Sequence, residues 1–412
     1  MTMSDNRFYV HTFPNGLALL CEKMPGMASA AMTLVVPAGS ESDPEGKCGM
    51  ATILCDLLLR GAGNLDSRAL TDYLDSLGLQ RSNSLSVHHM RFSCAAVAEH
   101  VVAGIPTYAD IIRRPQMPEA GFDAARELSL QSLDSIEDEP RQKLMIRLKE
   151  QYLPYPLGRN AMGDRKQIQT IHLADAKADF ARRFHAGGSI ISFAGNVDFQ
   201  QIHAAVEKSF GDWNGRQHAL APLVFPSSRV AHEDQKSEQT HIGLAWDSIP
   251  ETHEDYYTVR LGMEAFGGGM SSRLFTEVRE KRGLCYSVWA GYSSLKGMGC
   301  ILGYAGSSNE RAQATLDCFM EETRRLAKGI TQGELDRAQI GLKASTIMQG
   351  ESTSARSGAI AYDHFMRGRI RTLDEIKNAI DAVTLEQVND YLAAYPAKDF
   401  TIVTVGPKRL SI

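Results

Sequence analysis

No stretch of this 412-residue chain is apolar over the roughly 18 residues that a membrane-spanning helix requires, which removes the helical integral-membrane class. No C-x-x-C pair occurs, and the cysteines are odd in number: seven, at 21, 48, 55, 94, 285, 300 and 318. Free thiols in a reducing compartment fit that usage best. An excess of positive charge is also lacking, because 44 basic residues face 49 acidic ones for a net charge of −5. That balance argues against a nucleic-acid surface and leaves no polybasic patch for a membrane. The N-terminal MTMSDNRFYV has neither a basic n-region nor an apolar h-region, so no signal peptide is visible. The expected location is cytoplasmic, or periplasmic if a leader was removed.

What is present is ordinary for a globular protein, with 43% apolar and 23% charged residues. The length exceeds one core and predicts two domains of about 200 residues. A hairpin is predicted from Phe8 to Glu22 around Pro14-Asn15-Gly16, and a central strand from Ala28 to Gly39. The helix from about Gly49 to Arg60 carries Met50, Ile53, Leu54, Leu57 and Leu58 at helical spacing, a full apolar face. Asp66-Ser67 caps a helix that stops at Gly78, and Ser84 to Ala96 alternates as a strand. Helices over 99–113, 118–137, 140–152 and 173–185 lead to the strand 188–194 and a helix over 199–213. Pro222, Pro226 and the mixed-charge run HEDQKSEQ mark 214–239 as a linker.

The second part repeats the order of the first. A strand over 241–247 and a helix over 256–266 precede the phrase GGGMSSRLFTEVREKRGLCYS, Gly267 to Ser287. In it, Ser271 and Ser272 stand where a helix N-cap is wanted. Leu274, Phe275 and Val278 form a stripe, and Gly283 is a left-handed stop before the strand Leu284 to Ala290. A strand over 298–305, helices over 308–328, 332–349, 354–367 and 373–393, and a strand over 400–405 complete the chain. At an offset of 205, Gly63, Ser67, Arg68, Thr71, Gly78 and Leu79 fall on Gly268, Ser272, Arg273, Thr276, Gly283 and Leu284. Two copies of one α+β domain are therefore expected, each a mostly antiparallel sheet with helices packed on one face. Their limits are 1–213 and 240–412.

The element order and the phrases GGGMSSRLFTEVREKRGLCYSV, ITQGELDRAQ and FTIVTVG resemble the pitrilysin and mitochondrial-processing-peptidase family of zinc peptidases. That resemblance implies an inverted zinc motif, H-x-x-E-H, on the first helix, where two histidines on one face hold zinc and the glutamate takes a proton from its water. Here the helix reads GMATILCDLLLRG. Thr52 and Asp56 stand at the histidine positions and Cys55 at the glutamate. Alignment on Asp138-Glu139-Pro140 puts Ser132 at the distal ligand, and Ala125 replaces a further glutamate. A hydroxyl, a thiol and one carboxylate make a poor metal cage, and Asp56 is expected to pair with Arg60 one turn on. His88 and His89, on an alternating strand, are expected to face opposite ways and share no ion.

The resemblance also implies that Arg279 and Tyr286 contact substrate. An arginine donates several hydrogen bonds to peptide carbonyls, and a tyrosine hydroxyl donates to an oxyanion. Gly267, Gly268 and Gly269 are expected to form an adaptable loop beside them. A chain that lacks the zinc set but keeps this pair resembles the non-catalytic subunit of a two-chain peptidase. The expected partner is a homologous catalytic subunit holding the zinc, with a peptide or unfolded polypeptide as substrate. Alternatives are a core subunit of a larger complex, as in the respiratory cytochrome bc complex, and an active homodimer with unfamiliar chemistry.

Overall fold

The computed structural model describes residues 7–216 and 220–412. The first six residues, read above for a leader, and 217–219 of the expected linker lie outside the described residues. The chain divides into two units. One comprises Met1–Ser135, Tyr155–Leu223 and Gln349–Phe365, and the other Ile136–Pro154, Val224–Met348 and Met366–Ile412.

Thirteen strands occur among the described residues. In the first unit they are β1 (Phe8–Thr12), β2 (Ala18–Lys23), β3 (Ser29–Val36), the short pair β4 (Gly61–Ala62) and β5 (Leu65–Asp66), β6 (Gln80–Leu85), β7 (Met90–Val97) and β8 (Ile190–Gly195). In the second they are β9 (Val230–Asp234), β10 (Gln239–Ser248), β11 (Ser287–Leu295), β12 (Met298–Ser308) and β13 (Thr401–Gly406). The sheets run β1-β2-β8-β3-β7-β6 and β11-β12-β10-β13-β9. Only β2 with β8 and β9 with β13 pair in parallel. Read from β6 and from β11, the two orders and directions coincide, and the first sheet adds β1. The duplication expected from six identities is thus a duplication of topology.

Side-chain alternation explains the layers. Met32 and Leu34 of β3, Phe92 and Cys94 of β7, and Ile191 and Phe193 of β8 enter one core with Ile53, Leu54 and Leu57 of the helix Met50–Leu57. Their neighbours point to the other face, where one helix, Thr353–Arg367, crosses the sheet. Thr33 Oγ1 lies 3.0 Å from Ser357 Oγ, Ser192 Oγ donates to the Ser357 carbonyl at 2.8 Å, and Arg356 Nε donates to Glu22 at 2.8 Å. In the second unit the main core gathers Ile242, Leu244, Trp246 and Ile301. The helix Pro140–Tyr152 crosses the far face and sets Leu144 and Leu148 against Ala245, Leu302 and Val403. Each crossing helix comes from the part of the sequence that otherwise builds the other unit. Neither shows that origin in its own pattern.

Four expectations are corrected. The segment 84–96 is a hairpin, with Leu85 paired to Met90 and the Ser86 N–H donating to the His89 carbonyl at 2.8 Å. His88 and His89 therefore lie in its turn, and both rings pack on Phe365. Val230–Asp234, inside the expected linker, is an edge strand paired with β13. The helix expected over 373–393 is two, Leu373–Asp381 and Leu385–Ala394. Thr384 caps the second in a reciprocal pair with Gln387. The strand expected over 284–290 begins only at Ser287.

Candidate functional site

The helix Met50–Leu57 is anchored at its start. Asp43 accepts from the N–H groups of Gly49 (2.8 Å) and Ala51 (2.9 Å), two of the orphan donors at a helix start. Its Oδ1 also receives Arg183 Nη2 at 2.9 Å, and Arg183 pairs as well with Asp179. All three side chains are buried. Arg183 Nη1 donates to the carbonyls of Ala38 (3.3 Å) and Gly39 (3.2 Å), so one guanidinium ties the end of the helix Leu173–Arg183 to the start of Met50–Leu57. Sequence reading missed this pair, because Arg182-Arg183 looks like an ordinary cationic helix end.

On that helix Thr52 Oγ1 donates to the Ala161 carbonyl at 2.5 Å. Asp56 receives Arg60 Nε at 2.5 Å, the pairing expected from its spacing. Cys55 is buried and accepts from Asn83 Nδ2 at 3.4 Å, and burial pushes its thiol up, with Asp56 adding to the effect. Ser132, on the helix Glu119–Glu137, donates to the Leu128 carbonyl at 2.8 Å, and Ala125 is buried. The residues present do not fit a zinc ion. The two hydroxyls are committed to carbonyls, the carboxylate is committed to a guanidinium, and burial disfavours the thiolate form of Cys55 that zinc needs. No group of three or more His, Cys, Asp or Glu side chains that could hold a metal forms among the described residues. Cys55 should therefore react slowly. In the native protein Ellman's reagent is expected to spare this thiol until denaturant is added, and rapid labelling at neutral pH, mapped by mass spectrometry, would contradict its burial.

Arg279 and Tyr286 lie in the second unit. Ser272 Oγ accepts from the Phe275 N–H at 3.4 Å, and its carbonyl accepts from the Thr276 N–H at 3.0 Å, so the predicted cap starts the helix. The helix runs in wide π register over Phe275–Lys281, a form that recurs at functional sites. Gly283 (φ +59°) ends it, its N–H donating to the Arg279 carbonyl at 3.1 Å while the Leu284 N–H reaches Val278 at 3.0 Å. Gly78 (φ +63°) ends the equivalent helix of the first unit. The Arg279 guanidinium lies 4.6 Å from the Phe275 ring centroid and helps to oppose the upward push of burial on Cys285. It is exposed, as is Tyr286 at 64%. The Tyr286 N–H donates to the Gly306 carbonyl at 2.9 Å, which fixes its backbone to β12 and leaves the phenol in solvent.

The three glycines do not act alike. Gly267 is the last residue of the helix Tyr256–Gly267, pressed against β11, where a Cβ would lie 2.4 Å from the Ala290 nitrogen. It is a packing glycine and lies in the helix, because no other residue lets helix and strand approach so closely. At Gly268 a Cβ would meet only the movable end of Glu264, and at Gly269 nothing. Gly267→Ala is expected to cost about 1–3 kcal/mol in urea unfolding, and Gly269→Ala well under that. Equal costs would contradict the difference in packing.

Residues 16–165 match the family described as "Insulinase (Peptidase family M16)", and residues 170–342 match "Peptidase M16 inactive domain". An uncharacterized zinc protease of Bacillus subtilis, YmxG, is 25% identical over 96% of this chain and 98% of its own length. Another uncharacterized zinc protease, from Streptomyces coelicolor, is 27% identical over 96% and 89%. Among solved structures, a peptidase M16 inactive domain from Pseudomonas fluorescens superposes with a TM-score of 0.90 at 23% identity, over 98% of this chain and 99% of that one. A chain of complex III2 from Candida albicans gives 0.81 at 17%, over 97% and 96%. With both parts matched in order and one topology repeated in both units, the chain belongs to the peptidase M16 family.

Proposed function

We propose that this protein is a non-catalytic subunit that pairs with a zinc-bearing homologue and lends Arg279 and Tyr286 to the substrate site of the complex. The observation that carries this reading is a contrast within one chain. Every side chain at the family's metal and base positions is engaged elsewhere or unable to ligate. Arg279 and Tyr286, by contrast, stand exposed on fixed backbone. The partner's zinc would supply the activated water. Tyr286 donates its hydroxyl proton as a hydrogen bond to the substrate carbonyl oxygen as negative charge gathers there. Arg279 donates to carbonyls of the flanking peptide and holds the chain in register. The substrate is a peptide or an unfolded polypeptide, since both contacts read backbone.

Mixing this protein with an H-x-x-E-H homologue is expected to yield peptide cleavage that neither chain shows alone. Additive activity would remove the proposal. For the lone chain, EDTA or added zinc is expected to shift the thermal midpoint by no more than about 1 °C, since a ligand that binds the folded state raises it. A drop of several degrees in EDTA would restore a metal to this subunit and favour an active homodimer.

The likeness to a chain of complex III2 supports a second reading, a core subunit of a larger assembly. A scaffold has no use for an exposed arginine–tyrosine pair, which favours the first reading. Co-purification with membrane-bound redox subunits would reverse that order.

A further inference from the structure

The second unit holds a groove of about 460 Å³ beside the loop 268–272 that follows the helix Tyr256–Gly267. Ser271, the helix that carries Arg279, the end of the helix Ala312–Arg325 and the start of the helix Gln332–Gly350 line it. Its three carboxylates all have cations. Glu334 takes Arg273 through two bonds (2.9 and 3.2 Å), Glu322 takes Arg325 at 2.7 Å, and Glu277 takes Lys281 at 2.7 Å. The side chains of Lys328 and Arg337 also line the groove and form no hydrogen bond or ion pair among the described residues. The hydroxyls of Ser271 and Thr276 line the same concavity, and that of Thr331 already donates to Glu334 at 3.0 Å. The groove therefore carries an uncompensated positive charge and hydroxyl groups, the chemistry that receives carboxylate oxygens.

An apolar strip continues from it along the helix Gln332–Gly350. One side of that helix is anchored by Leu335 and Ala338 and by Gln339, which donates to the Ile380 and Val383 carbonyls at 3.0 Å. The opposite side bears Ile340 (65% exposed), Ala344, Ile347 (50%) and Met348 (65%), at helical spacing on one face. Water-facing isoleucine and methionine in such a row mark an interaction surface. From Arg337 to Met348 the helix rises about 16 Å, the reach of about five extended residues.

We propose that this groove and strip together dock an extended polypeptide segment in which an acidic residue is followed by apolar ones, the carboxylate meeting Lys328 and Arg337. Charge complementarity selects that occupant. The proposal rests on the reading of this unit as substrate-contacting and names the substrate class, an acidic-apolar unfolded segment.

Binding to the lone full-length chain tests it without any cleavage. A short fluorescein-labelled peptide with two glutamates followed by alternating leucines is compared, by anisotropy, with its glutamine counterpart. The glutamate peptide is expected to bind about tenfold more tightly at low salt, with the advantage shrinking as salt rises. Lys328→Ala/Arg337→Ala is expected to abolish the preference and Ile340→Glu to weaken both peptides. Both side chains are exposed and form no hydrogen bond or ion pair among the described residues, so circular dichroism of the double variant should be unchanged. Equal binding of the two peptides, a preference that survives the double variant, or displacement of the glutamate peptide by submillimolar inorganic phosphate would each overturn the proposal. A failed cleavage assay in the mixture, with peptide discrimination intact on the lone parent chain, would count only against the paired-subunit reading.

Discussion

Tyr286→Phe, assayed in the complex with a zinc-bearing homologue, is expected to lower kcat about 10²-fold, the loss that follows removal of one donor to a developing oxyanion. The substituted side chain keeps the ring and loses only the hydroxyl, and with 64% of the residue exposed there is little packing to disturb. Arg279→Ala should act mainly on KM, by roughly tenfold or more, since donors to ground-state carbonyls bind substrate and transition state alike. Its stability cost is confined to the contact with Phe275, about 0.5–1 kcal/mol at an exposed site. The thermal midpoint of either variant alone should therefore stay close to that of the parent, so lost cleavage would report on chemistry. If both variants cleave at the parent's rate in the mixture, the pair has no part in the reaction. If kcat falls only together with the midpoint, the residues support the fold.

Most of the fold was legible because its signals are local. The five apolar positions from Met50 to Leu58 are all fully buried, and Asp66 caps its helix by accepting from the Ala69 N–H at 2.8 Å. Gly78 and Gly283 both adopt the left-handed conformation that their position as stops required. The exchange of the crossing helices was not legible, because which sheet a helix covers depends on partners more than a hundred residues away. Thr353–Arg367 docks through small and polar residues such as Ser357 and Gly358, which read on their own as a solvated face. The hairpin turn at Ser86–His89 was missed for the opposite reason. It holds neither glycine, proline nor asparagine, and its alternation continues through the bend.

The candidate site shows the same division. The changed positions at Thr52, Cys55 and Asp56 could be read from residue type alone, since a threonine and an aspartate stand where the resemblance wants imidazoles and a cysteine where it wants the glutamate base. That Thr52 is bound to Ala161, or that the glycine run splits into a packing residue and two free ones, needed the neighbours. The cationic groove was invisible for that reason too. Lys328 and Arg337 stand among many charges in the sequence, and only the pairing of the surrounding carboxylates leaves these two over.

Arg183→Met is expected to be the most destabilising single change in the first unit, at about 3–5 kcal/mol, the loss seen when one partner of a buried ion pair is removed. Methionine fills much of the space, so the cost comes from charge. Asp43 and Asp179 would stay buried without the guanidinium, and the carbonyls of Ala38 and Gly39 would lose a donor. Burial already raises Asp43 above its ordinary range, and Arg183 is the largest influence pulling it down. Without the arginine the carboxyl rises further. A carboxyl whose folded pKa stands above its unfolded value near 3.9 stabilises the fold at low pH, and that stability is lost as pH climbs through the folded value. The deficit of the variant relative to the parent should therefore be larger at pH 8 than at pH 5. At about 2–4 °C per kcal/mol for a unit of this size, the midpoint should fall by roughly 6–20 °C at neutral pH. Asp43→Asn, which keeps an acceptor for the Gly49 and Ala51 N–H groups, should cost less and remove much of the pH dependence. A neutral-pH shift below about 2 °C for Arg183→Met, or a deficit that grows toward acid, would mean that hydrophobic packing and not this ion pair sets the helix Met50–Leu57.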